Sequence, residues 1–102
     1  MMLCTPPSAI VAIVKPTGPS HVATGHVTLQ NGTTFEISGD GSMSDFIVKL
    51  HIGDRIEGCF GPKQKWADEP ADARVGLIVD RATRDYIYTV GIPKGGRDPS
   101  PQ

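Results

Sequence analysis

The feature that most limits what this chain can fold into is its punctuation: short runs in which apolar and polar residues alternate, nearly every one ended by glycine or proline. Alternation with a period of two puts the apolar side chains on one face of an extended strand. With 12 Gly and 9 Pro in 102 residues, long helices are broken before they form. An apolar repeat at i, i+3 and i+4 is read over no useful length, so the expectation is all-β. Val27 and Leu29 alternate with His26, Thr28 and Gln30, and Asn31-Gly32 then supplies two residues that tolerate positive φ, the signal for a tight two-residue hairpin. Phe35 and Ile37 return against Thr34, Glu36 and Ser38, and Gly39-Asp40-Gly41-Ser42 reads as a turn.

Phe46, Val48, Leu50 and Ile52 form a third alternating row, predicted as an inward strand face, and Gly53-Asp54 turns the chain into a fourth strand over residues 55–60. Residues 61–74 are polar and carry two prolines, which reads as a loop with room for one helical turn after Asp68 or Pro70. Val75, Leu77 and Val79 open another strand. Residues 80–85 turn, and residues 86–90 close a last hairpin in which Ile87 opposes Tyr86 and Tyr88. Residues 9–14 are apolar on both faces and stop at Pro16, Gly18 and Pro19, which suits a strand added to a sheet edge or a cover over one barrel mouth. The length allows one core: a flexible segment over residues 1–8, a single domain over 9–92 and a disordered tail over 93–102. The strand count points to a five- to six-stranded antiparallel β-barrel of the oligonucleotide-binding (OB) kind, with an SH3-like barrel as the alternative.

Ten Lys and Arg against eleven Asp and Glu give a net charge of -1, so no global field draws the chain onto a phosphate backbone. Before Asp45 only Lys15, Glu36 and Asp40 are charged, which places a charged rim on the later strands. The aliphatic run over residues 9–14 stops at Lys15-Pro16, far short of the ~20 apolar residues that cross a bilayer, with no basic residue before it and no convincing cleavage site. A cytoplasmic protein without a membrane partner is the expectation. Cys4 and Cys59 match no disulfide framework or metal motif and read as unpaired thiols in a reducing compartment, with Cys59 a small half-buried strand residue.

From Gly25 to Arg81 the order of landmarks resembles a cold-shock domain, the small OB barrel that binds single-stranded RNA and DNA. Gly25-His26-Val27 matches its opening Gly-x-Val strand, and Asp40-Gly41-Ser42 its glycine-bearing turn. Asp45-Phe46-Ile47-Val48-Lys49-Leu50 falls on its Asp-Val-Phe-Val-His-Phe segment, and Ile52-Gly53-Asp54-Arg55-Ile56 on the step into its fourth strand. Gly61-Pro62-Lys63 and Ala73-Arg74-Val75 match its Gly-Pro-Lys loop and last strand. The resemblance implies a barrel and single-strand binding through outward aromatic rings. Here those rings are replaced: Leu29 stands for a Trp, Thr34 and Glu36 for two Phe, Ile47 and Leu50 for two more, and Lys49 for a His. The likeness supports the barrel more than the binding activity.

Trp66, flanked by Lys63 and Lys65 and joined by Lys49 on an outward strand face, makes a candidate stacking platform for an exposed base. A Trp capping a barrel mouth amid ordinary surface lysines is the plainer reading. Single-stranded RNA or DNA is thus the first candidate partner. The alternative is a protein-interaction or regulatory module that offers an apolar outer row, Leu29, Ile47 and Leu50, or an edge strand, to a protein partner or to itself. His21, His26 and His51 lack metal-site spacing, no nucleophile or phosphate-loop motif is present, and neither a cofactor nor catalysis is expected. Phe35 and Phe46 read as core, and Phe60, Tyr86 and Tyr88 as core or half-buried.

Overall fold

A computed structural model describes residues 2–16, 24–38, 41–63 and 66–97. Seven strands and one helix follow in the order β1 (Leu3–Cys4), β2 (Ser8–Val14), β3 (Thr24–Leu29), β4 (Thr34–Ser38), α1 (Gly41–Ile47), β5 (Arg55–Lys63), β6 (Arg74–Asp80) and β7 (Tyr86–Ile92). All pairings are antiparallel, in the order β2-β3-β4-β7-β6-β5, and β5 returns to β2 so that six strands close a barrel. Residues 9–14 are therefore a closing strand of the barrel. Their apolar character on both faces has a local cause: an extra residue bulges β2 between Ile10 and Ala12, so Ile10 and Ile13 both turn towards the core while Val11 and Val14 face out.

A short strand and a turn lie outside the six barrel strands. β1 continues the β2 edge along β5, pairing Leu3 with Phe60 and Cys4 with Cys59. Pro6 and Pro7, which lack N–H donors, separate β1 from β2. Lys94–Gly96 forms a 3-10 turn after β7. The paired register brings Cys4 and Cys59 face to face in a disulfide, which corrects the reading of two unpaired thiols. With the sulfurs bonded, cysteine chemistry no longer favours a reducing compartment.

The β3–β4 hairpin forms where Asn31-Gly32 signals it, with one residue more than the two-residue turn. Gly32 N–H donates to Leu29 C=O, and Leu29 N–H to Thr33 C=O, leaving Gly32 at φ 91°, the three-residue loop with a glycine in the left-handed region. Asn31 ties this loop to the N-terminal segment: its N–H donates to Ser8 Oγ, its Nδ2 to Thr5 Oγ1, and its Oδ1 accepts from Thr33.

The largest departure is the segment read as a third strand over residues 46–52. It is α1 and the turns after it. Met43, Phe46, Ile47 and Leu50 are buried together, an i, i+3, i+4, i+7 stripe, while Val48 and Ile52, expected inside, are about two-thirds exposed at 64% and 66%. The stretch that the cold-shock resemblance aligns with a strand is thus not one. The barrel interior is organised around Phe35 and Phe60, stacked with centroids 5.2 Å apart and planes 13° from parallel. Three inward glycines, Gly58, Gly76 and Gly91, make room for these rings: a Cβ on any of them would lie 2.6–3.0 Å from a Phe35 ring atom.

Candidate functional site

β7 is paired along its length with β6, from Val79 opposite Tyr86 to Arg74 opposite Gly91. Among the described residues its other edge pairs with β4 only at Gly91 and Ile92, and α1 packs into the gap that opens before that point. Asp80 N–H donates to Asp85 C=O, so by the alternation of an antiparallel ladder the main-chain groups of Ile87 and Thr89 point to β6 while those of Tyr86 and Tyr88 point away from it. Beside that unpaired edge lies an open groove of about 380 Å³, lined by Asp45, Phe46 and Lys49 on one side and Asp85, Tyr86, Ile87 and Tyr88 on the other.

Inward and outward positions alternate along β7. Ile87 packs on the core, which leaves Tyr86 and Tyr88 outside, 63% and 58% exposed and edge-to-face with ring centroids 6.2 Å apart. This differs from the core or half-buried places that the sequence suggests for them; the Tyr86-Ile87-Tyr88 alternation carries the signal but does not say which face is inside. Across the ladder Tyr86 sits opposite Val79, and Tyr88 opposite Leu77. Val75, Leu77, Val79 and Val90 are half-buried on the same outer face, so this face is apolar where a solvated sheet face would be polar. Lys49 Nζ stands 3.7 Å from Asp85 Oδ2, while Asp45 is exposed. Two carboxylates and one ammonium thus line the groove.

The residues singled out from sequence separate. Lys49 lies at this groove beside Asp85, whereas Lys63 pairs with Arg74 at the other end of β6, six residues or roughly 20 Å away along a strand. Trp66, 36% exposed, follows Lys63 in the loop before β6, a segment that also carries Asp68, Glu69 and Asp72. Lys65 and His21 lie outside the described residues. Leu29, Ile47 and Leu50, expected as an exposed apolar row, are core residues: Leu29 follows the inward parity of β3, and the other two belong to the buried stripe of α1 and the turn after it.

Two further groupings carry chemistry. Glu36, on the outer face of β4 and opposite His26 on β3, meets Glu69 of the loop before β6. Burial first, then a hydrogen bond and charge repulsion from the Glu69 carboxyl, raise the pKa of Glu36 from 4.5 to about 7, and Glu36 Oε2 is enclosed without a hydrogen bond. Near neutral pH this pair holds or releases a proton. Cys4, Glu57 and Cys59 are, among the described residues, the group of His, Cys, Asp and Glu donors close enough to share a cation, within 4.8 Å of one another. Two of the three are engaged in the disulfide, and Glu57 Oε2 accepts from Arg81 Nη1 at 2.8 Å. No helix among the described residues is long and apolar enough to cross a membrane. The chain matches no protein-family model, no curated protein and no solved structure.

Proposed function

We propose that this barrel is a protein-interaction module whose contact surface is the groove and outer face at β7, centred on Tyr86 and Tyr88. The observation that carries the reading is the exposed tyrosine pair, two amphipathic rings side by side over an apolar sheet face and next to an open groove. Tyrosine supplies large contact area with little rotamer entropy to lose, which is why it recurs at the energetic centres of interfaces. The class is the one in which a barrel offers an apolar row to a partner, with the row on β6 and β7.

Single-strand binding, the activity that a cold-shock likeness implies, draws on the same two rings as a stacking platform. Against it stand the acidic lining of the groove and the distance between Lys49 and Lys63. A single-strand binder tracks its ligand's phosphates with a continuous positive groove.

The test is a linear-peptide display library panned on the wild-type protein and on the Tyr86→Ala, Tyr88→Ala double variant, with short single-stranded DNA and RNA titrated at low salt in parallel. Peptides that bind the wild type and lose about ten-fold or more in affinity on the double variant support the module. Equal enrichment on both proteins, or none on either, overturns it. Salt-sensitive oligonucleotide binding that the double variant loses would transfer the site to nucleic acid.

A further inference from the structure

Resting on the module reading, the geometry points to the kind of segment the groove takes: we propose that an extended, basic peptide adds to the free edge of β7, hydrogen-bonds to the main chain of Tyr86 and Tyr88, and sets a Lys or Arg against Asp45. Three observations converge on this occupant. First, the groove runs along a strand edge, and an unpaired edge presents alternating N–H and C=O groups that an extended chain complements and a helix does not. Those groups belong to Tyr86 and Tyr88, because their neighbours Asp85 and Ile87 are turned to β6.

Second, among the described residues the edge is free for a structural reason. β4 diverges from β7 after Phe35 opposite Gly91, the Thr89 hydroxyl donates to Glu36 C=O across the divergence, and α1 fills the space below with Phe46 rather than with a strand. A side chain cannot satisfy a strand's row of main-chain groups, so the edge keeps a capacity for one more short strand. Third, the charge around the groove is one-sided: Lys49 is matched by Asp85, which leaves Asp45 as the charge of the lining without an ion pair among the described residues. An incoming cation meets Asp45 and the faces of two tyrosines, a combination of ion pairing and cation–π contact. Alternate side chains of an added strand point to opposite faces: one set meets Tyr86 and Tyr88 on the outer face, the other Phe46 and Ile87 in the groove.

The experiment uses the peptide that panning enriches most, with the 102-residue chain. Amide exchange followed by NMR is expected to slow at Tyr86 and Tyr88 by about ten-fold in the complex. N-methylation of the peptide at one set of alternate residues should cost about five-fold or more in affinity, the other set little, since only one set faces β7. Asp45→Lys should reverse the preference, favouring a Glu-bearing peptide over its Lys-bearing twin, with the fold checked by its circular dichroism. A peptide that binds through the tyrosines yet leaves both amides unprotected and tolerates N-methylation everywhere refutes edge addition and leaves the module standing. If Asp45→Lys keeps the basic preference, the assignment of the cation site is wrong. Absence of any tyrosine-dependent peptide overturns both.

Discussion

Gly91→Ala tests the packing that shapes the barrel. The new Cβ would stand 2.8 Å from Phe60 Cε1, and 2.9 and 3.0 Å from Phe35 Cε1 and Cδ1, against about 3.5–4.0 Å for carbons in good contact. Neither ring can move aside. They stack on each other, and a Phe35 displaced from Gly91 is already confined by Gly58 and Gly76, where a Cβ would come within 2.6 and 3.0 Å of its ring. Overpacking of this kind costs about 1–3 kcal/mol, and the lower unfolded-state entropy of alanine returns roughly 0.5–1 kcal/mol. The net loss of about 1–2 kcal/mol lowers the melting temperature by roughly 5–15 °C in a domain of this size. Urea and thermal unfolding followed by circular dichroism measure it. Gly61→Ala serves as the control, since its Cβ would meet Val75 at an ordinary 3.6 Å; it should change stability by no more than about 0.5 kcal/mol. Phe60→Leu removes the ring edge that Gly91→Ala strikes, so the double variant should lose less than the sum of the two single losses. Wild-type stability in Gly91→Ala, or strict additivity with Phe60→Leu, would refute the account of why these glycines face inward.

Two further outcomes follow from the electrostatics and the covalent link. Because the folded state raises the Glu36 pKa from 4.5 to about 7, it binds a proton that the unfolded chain releases, so the contribution of this group to stability is full below about 4.5 and is lost as pH rises through about 7; Glu36→Gln should flatten that part of a urea-midpoint profile. The Cys4–Cys59 disulfide closes a loop across a sequence separation of 55, and a loop of that length stabilises by ~2–4 kcal/mol, so a dithiol reductant or the Cys4→Ser, Cys59→Ser variant should lower the urea midpoint, and an unchanged midpoint would mean that the sulfurs are not bonded in solution.

Much of the strand content was legible because period-two alternation and turn residues are local. Val27 and Leu29, Phe35 and Ile37, and Tyr86-Ile87-Tyr88 lie on strands, and Asn31-Gly32 sits in the hairpin loop. The helix was not legible, because one segment satisfies two templates: Phe46, Val48, Leu50 and Ile52 alternate, while Met43, Phe46, Ile47 and Leu50 follow a helical stripe, and the two share Phe46 and Leu50. The burial of Met43 and Ile47 against the exposure of Val48 and Ile52 separates them, and burial is a property of the whole fold. The candidate site was missed for a related reason. Ring-bearing residues are usually core, so the sequence reads Tyr86 and Tyr88 as core or half-buried and puts the apolar outer row on Leu29, Ile47 and Leu50.

What the sequence by itself determined is therefore the local conformation of most segments: where strands run, where glycine and asparagine let the chain reverse, and that one core of antiparallel strands must result. Only the tertiary structure decided which side of each strand faces that core, which partners close the barrel, and what happens where β4 and β7 part. Those are cooperative choices. Gly58, Gly76 and Gly91 turn inward where the Phe35 ring of β4, joined at Gly91 by the Phe60 ring of β5, occupies the space a Cβ would need, Cys4 meets Cys59 because β1 pairs with β5, and Tyr86 and Tyr88 stay outside along an open edge because α1, not a strand, fills the gap beside them.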